Sequence, residues 1–188
     1  PLVSLPSSLA DGMLASIGVL PVEQTTPAYN PITQSATEVP PALVGSKWVQ
    51  QWQITDLSPE QAAANRAATR AAAALQIDEA VAAIYGRFTR FQLEYTERES
   101  QAQSYKDAGY TGEVPPRVAE FATPAGMPAQ AATDLILAQA ANLRGAQGSL
   151  SALRMRKYEV LRAATDAQAQ AVAAEILAGV AAVGANVS

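Results

Sequence analysis

The sequence predicts a mainly α chain with a small N-terminal β-hairpin region (α+β), whose long helices assemble as an oligomeric helical bundle. Three observations carry this. Ile77, Val81, Ile84, Phe88, Phe91 and Tyr95 are spaced four, three, four, three, four, a heptad seam that buries one stripe of a helix against partner helices. Ser58-Pro59-Glu60-Gln61 marks where that helix starts: Ser58 is a good N-cap, Pro59 suits the first helical position, and Gln61 sits where a capping box needs it. Trp48, Trp52 and Ile54 fall on one face of a strand by period-two alternation.

Taken in order, residues 1–57 read as an N-terminal arm and hairpin docking region. Ser7 or Ser8 caps a short helix with Leu9, Met13, Leu14 and Ile17 on one face, ended by Gly18. Pro27 and Pro31 punctuate an extended segment, and residues 32–56 form the hairpin. Pro40-Pro41 and Gly45 are read as its connection, longer than a two-residue turn. A two-stranded hairpin is marginal alone in water, so the Trp48/Trp52/Ile54 face is expected to be covered by the arm, a helix or a neighbouring subunit.

Residues 58–108 read as one long helix, with an alanine approach over 61–74, the heptad seam over 77–95, and Gly109 as its C′ residue. Unbroken, it would be roughly 75 Å long, too long to wrap within a domain of this size. The seam is therefore expected to meet other copies of the chain, as a homo-trimer; later helices folding back onto it is the competing arrangement. Residues 109–188 form a C-terminal helical region: a loop through Pro116, a short helix over 117–123, a helix over 128–143, a break at Gly145 and Gly148, and a last helix over 149–177. The tail beyond Gly179 is expected to fray.

Composition limits the chemistry. The hydrophobic fraction is 49%, but alanine supplies much of it and buries little area per residue. Net charge is −4 with 13 scattered basic residues, so the electrostatic footprint of a nucleic-acid binder is missing. Cysteine and histidine are absent, which removes thiolate chemistry, most zinc sites and the commonest general base. No signal-peptide pattern opens the chain. The apolar run 171–183, interrupted by Glu175, is read as too short to insert in a bilayer. A soluble protein of a reducing cytoplasm is expected.

Glycines at 109, 112, 126, 145 and 148 never assemble into a phosphate-cradling loop with a following lysine. Asp78 with Glu79, and Glu94 with Glu97, are the nearest approach to a carboxylate pair and read as surface charges. Arg154, Arg156, Lys157 and Arg162 make a basic stripe, read as a solvated face because acidic residues interleave it. No catalytic, cofactor or metal residue is expected. Paired tryptophans are also the pattern of a glycan-stacking platform, so a host-surface glycan is a further partner class for Trp48 and Trp52.

Two stretches resemble small proteins encoded beside tail fibre genes in tailed bacteriophages. One runs from Leu20-Pro21-Val22 and Pro27-Ala28-Tyr29-Asn30-Pro31-Ile32-Thr33-Gln34 through Trp48-Val49-Gln50-Gln51-Trp52 to Asp56-Leu57-Ser58-Pro59-Glu60. The other runs from Tyr105-Lys106-Asp107-Ala108-Gly109-Tyr110-Thr111-Gly112 through Val114-Pro115, Val118 and Phe121-Ala122 to Gln130-Ala131-Ala132-Thr133-Asp134-Leu135-Ile136-Leu137. The resemblance implies a non-enzymatic tail fibre, baseplate-associated or tail fibre assembly protein whose partners are itself and other phage tail proteins. It leaves open whether the chain stays in the virion, at the phage tail, or acts as an assembly chaperone.

Overall fold

The structure is a computed structural model and describes residues 20–186 together with Gly18. The helix expected between Ser7 and Ile17 lies outside the described residues. The chain is mainly helical with a small sheet near its N-terminus, and it divides into two compact units, one through Ala67 and one from Ala68. Each is described by itself.

The first unit holds a three-stranded sheet in the order β1-β3-β2, with β1 Val22–Glu23, β2 Gln34–Val44 and β3 Lys47–Asp56. β2 and β3 pair antiparallel from Gln34↔Asp56 to Val44↔Lys47, and β1 adds to β3 in parallel through Val22↔Trp48 and Glu23↔Val49. The expected long connection is corrected to a two-residue turn, Gly45–Ser46, in which Gly45 takes a φ of +64°. Pro40 and Pro41 belong to β2, at a register irregularity between Val39 and Ala42. They are tolerated because β2 is an edge strand, where a missing N–H breaks no ladder on its outer side. Helix α1, Pro59–Thr89, starts in this unit with the expected capping box: the Ser58 N–H donates to Gln61 Oε1 at 3.0 Å and the Gln61 N–H to Ser58 Oγ at 3.2 Å.

The second unit is helical. After α1 come α2 Gln92–Asp107, α3 Pro116–Ala125, α4 Ala129–Met155, α5 Lys157–Arg162 and α6 Asp166–Asn186. The continuous helix expected over 58–108 is corrected: Arg90 and Phe91 form a turn between α1 and α2. α2 ends as expected, with Gly109 at φ +67° and its N–H donating to the Lys106 carbonyl. The expected break at Gly145 and Gly148 is absent, since both lie inside α4. Leu143 and Leu150, flanking them, pack into the core, and tertiary packing outweighs the roughly 1 kcal/mol of glycine's helix disfavour.

The long last helix is also corrected. It is divided at Ala163–Thr165, where the Gln168 N–H donates to Thr165 Oγ1 and the Ala164 N–H to Gln168 Oε1, both at 3.1 Å. α6 then continues through Gly179 to Asn186 instead of fraying. At 21 residues α6 is long and apolar enough, by length and composition, to cross a membrane, which corrects the reading from run 171–183 alone. Its Ala169, Ala173, Ile176, Val180 and Gly184 are buried, and Glu175 accepts from Arg156 at 2.8 Å.

Two clusters make the core. Ile77, Val81, Ile84 and Phe88 of α1 meet Leu150 of α4, Val160 of α5 and the buried face of α6. Ala102 of α2, Val118 and Ala122 of α3, and Ala132 and Ile136 of α4 form the second. α1 and α6 run parallel: the Arg70 guanidinium pairs with Asp166 at 3.2 Å at one end, and Gly184 abuts Ile84 at the other. α4 runs antiparallel to α1 and α2, since Asp78 accepts from Arg154, Tyr85 Oη donates to the Gln147 carbonyl, and Lys106 pairs with Asp134.

Candidate functional site

Of the hairpin face predicted from sequence, Trp48 and Trp52 are half-buried and Ile54 is exposed. Gln50 lies between the tryptophans on the same face and is buried. The residues after β1 close over this stretch. The Thr25 N–H donates to Gln50 Oε1 and its hydroxyl to the Gln50 carbonyl, each at 3.0 Å. The Trp52 indole N–H in turn donates to the Thr25 carbonyl and Oγ1, each at 3.1 Å. The arm thus supplies part of the cover, and it holds the Trp52 ring by its polar edge. The hairpin tip carries Leu43 and Val44 about 60% exposed.

The six seam residues divide. Ile77, Val81, Ile84 and Phe88 are buried in the chain's own core, so helices of the same chain cover them. Phe91 is 48% exposed and Tyr95 38%, and Leu93 between them is 75% exposed. The cause is geometric. α6 lies beside α1 only as far as Gly184, whose carbonyl accepts from Arg87 at 3.5 Å, and the helix ends at Asn186. Beyond Phe88 the described part of α6 does not cover the seam.

The bend at Arg90–Phe91 lifts the chain away from α4. Between Tyr85 and Lys106 the chain advances 21 residues, while their partners on α4, Gln147 and Asp134, are 13 apart. At about 1.5 Å per residue the eight-residue excess is roughly 12 Å of helix, and a corner projecting from α4 takes it up. Phe91 heads α2 without a side-chain cap, and the Arg90 guanidinium lies 5.5 Å from the Phe91 ring centroid. In the angle of the corner is a cavity of about 390 Å³, which sequence reasoning missed. Phe88, Tyr95, Ile136, Ala140 and Leu143 give it apolar walls, and Gln92, Gln139, Gln147, Arg98, Glu99 and Arg144 a polar lining. That volume lies within the range of ligand-binding clefts. No sequence motif marks it, because it forms between separate elements, the end of α1 and the start of α2 on one side and α4 on the other.

Most of the charged candidates are engaged, while Glu79 stands exposed on α1. Asp78 accepts from Lys157 at 2.5 Å and from Arg154 at 2.8 Å, and these two cations, Lys157 foremost, hold its carboxyl below the usual range. Glu94 pairs with Arg98, Glu97 with Arg117 at 2.8 Å, and Glu99 with Arg144. The basic stripe is likewise spent: besides Arg154 and Lys157, Arg156 pairs with Glu159 and Glu175, whose carboxylates raise its pKa, and Arg162 Nε donates to the Tyr158 carbonyl. Asp134 is held low by the Lys106 ammonium and by the Tyr110 hydroxyl, which donates at 2.7 Å; the phenol itself is pushed up. Among the described residues no three acidic side chains converge as a metal site would need. The apolar walls of the cavity and the exposed Phe91 and Leu93 of the corner can recognise a partner by shape and apolar contact.

The chain is 50% identical over 84 residues to a protein of Haemophilus phage HP1 (strain HP1c1) described as an uncharacterized 23.3 kDa protein in the lys 3′ region. The match indicates a phage origin. It covers 45% of this chain and 42% of the phage HP1 protein, so the chain matches less than half the length of that relative. No family model matches, and no solved structure matches.

Proposed function

We propose that this phage-type chain is a non-enzymatic structural subunit of a bacteriophage tail, at or near the fibre or baseplate, working in virion assembly and host attachment. It is made in the host cytoplasm and stays in the particle, in contact with other tail proteins and with copies of itself. The observation that carries the reading is the α1–α2 corner, where Phe91, Leu93 and Tyr95 present an apolar surface uncovered by the described part of the chain. Large apolar side chains grouped at a projecting corner mark an interaction surface, and a subunit completed by its neighbours needs one. The phage relative supports a phage origin, and the resemblance of two stretches of the sequence to tail-fibre-associated proteins is what favours a place at the tail. The pairing of Asp78 with Lys157 and Arg154, and of Glu94, Glu97 and Glu99 with arginines, fits surface charges that brace a scaffold.

Quantitative mass spectrometry of purified virions tests this. The expected result is the chain in fixed proportion to the known tail proteins. Its absence from particles, together with rescue of fibre solubility on co-expression, would replace the reading with that of an assembly chaperone.

A further inference from the structure

We infer that the α1–α2 corner is a conformational switch: when α2 leaves its seat on α4, α1 and α2 join into one continuous helix. The switch lies within a single chain and is independent of the tail assignment.

Three observations support it. The first is that the local sequence favours the straight form. No proline or glycine lies between Arg87 and Leu93, and Gly86 is itself inside α1. α2 starts at Phe91 without a side-chain cap. Joining the helices gives the free N–H groups of α2's first turn the carbonyls at the end of α1 as partners. The bend is therefore held by tertiary contacts. The second is how lightly α2 is seated. Its buried residues are Ala102 and Tyr105, and the cavity of about 390 Å³ separates its first half from α4. Its charged links are exposed: Lys106 to Asp134, Glu99 to Arg144, and Glu97 to Arg117 of α3. Exposed pairs hold an element weakly, and an element with few buried apolar contacts is among the first to open locally. The eight-residue loop 108–115 reaches up to about 27 Å, so α2 can move while α3 stays on α4.

The third is that one stripe serves both forms. Steps of three, four and three from Tyr95 reach Arg98, Ala102 and Tyr105. The residues that α2 buries thus lie in the same phase as the seam of α1. In the bent form that phase is split between two clusters, with Phe91 left exposed at the corner. In the straight form it is one seam along roughly 75 Å of helix. Two arrangements of one stripe, exchanged at a short hinge, make a bistable element.

Pulsed electron spin resonance distances on the full chain are the test. The sequence has no cysteine, so Glu79→Cys and Ser100→Cys, both at exposed positions, take one nitroxide each with no background label. Along one continuous helix these two positions are about 32 Å apart, and the bend brings them closer. The labelled chain is expected at the shorter distance. Adding Asp134→Lys and Arg144→Glu turns both links to α4 into like-charge pairs. The main population should then move to about 32 Å, with far-UV ellipticity undiminished. Phe91→Asp, added to that variant, puts a capping side chain at the head of α2 and a charge in the straight seam, and should cut the long-distance population about fivefold. If the charge reversals disturb the fold, Asp134→Asn with Arg144→Gln takes their place. A distance unchanged by either pair of substitutions, a broad spread with no component near the helical distance, ellipticity lost in the milder pair, or a long-distance population indifferent to Phe91→Asp would each overturn the inference. None of those outcomes bears on whether the chain is found in virions.

Discussion

The same substitution, glycine to alanine, should have opposite signs at different helical positions of this chain. Gly184 lies on the buried face of α6, and a Cβ built there would stand 2.9 Å from Ile84 Cδ1 and 3.3 Å from its Cγ1. Ile84 is itself buried in the core, so its side chain has little room to yield, and overpacking of this kind costs about 1–3 kcal/mol. Against that stands the roughly 0.5–1 kcal/mol that alanine gains over glycine in a helix interior. Gly184→Ala should therefore destabilise by about 1 kcal/mol net. Gly145→Ala and Gly148→Ala in α4 meet nothing within 4 Å and should each stabilise by about 0.5–1 kcal/mol. Ile84→Val removes the Cδ1 atom and costs about 0.5–1.5 kcal/mol alone. Combined with Gly184→Ala it should cost less than the sum by about 1 kcal/mol, a coupling typical of residues in contact. Urea unfolding read by far-UV ellipticity is the assay, since the helices dominate that signal while both tryptophans, Trp48 and Trp52, report on the β unit. Gly184→Ala stabilising like Gly145→Ala, with purely additive behaviour toward Ile84→Val, would refute the close approach of α6 to α1.

Three further outcomes follow from the structure. Leu150→Ala, at a fully buried site on α4, should cost about 2–5 kcal/mol by the same ellipticity assay, whereas Leu93→Ala, three-quarters exposed, should change stability by under about 0.5 kcal/mol. Ser58→Ala removes the acceptor of the Gln61 N–H and should cost about 1 kcal/mol, with hydrogen exchange accelerated in the first turn of α1. The Asp78 carboxyl is depressed from its ordinary 3.8 by Lys157 and Arg154; a depressed folded pKa gives stability present above the unfolded value and lost as pH falls through the folded one. Asp78→Asn should therefore be less stable than the unmodified chain near neutral pH, by about 1 kcal/mol for a partly exposed carboxylate between two cations. The two melting curves should converge below pH about 4, and a gap that widens with acid would refute the sign.

Much of the helical architecture was legible where a local signal matched its packing. Ser58 and Gln61 announce the start of α1, and Gly109 its companion's end, because capping chemistry is written within four residues. A second signal of this kind, Thr165 with Gln168, lay in the sequence unread inside an alanine-rich stretch that otherwise reads as continuous helix. Elsewhere local rules were overruled. Pro40-Pro41 looks like a loop until β2 is known to be an edge strand, and Gly145 and Gly148 look like a break until Leu143 and Leu150 anchor the helix on both sides. The candidate site was the least legible part. Gly86, one turn before the bend, is the seam's one weak spot, but from Arg87 to Leu93 there is no proline or glycine and the heptad phase runs through the bend without interruption, so the local sequence does not require one there.

The bend and the exposed corner share a tertiary origin. A heptad seam specifies only that one stripe must be covered; it does not specify by which chain, or for how far. In this chain the cover comes from Leu150 of α4, Val160 of α5 and the buried face of α6, Ala169, Ala173, Ile176, Val180 and Gly184. Running parallel to α1, α6 reaches Ile84 with Gly184 and stops two residues on. Upstream of that point the seam residues are core; downstream the same periodicity continues beside α4 alone, where Tyr95 lines the cavity and Phe91 is left outward. Meanwhile α4 holds the chain on both sides, by Tyr85 to Gln147 and by Lys106 to Asp134, with eight more residues on one path than on the other. The excess must leave the plane of packing, and it does so at Arg90–Phe91, between the two places where α4 holds the chain. The corner and the cavity beneath it thus follow from the unequal paths that join these two anchors.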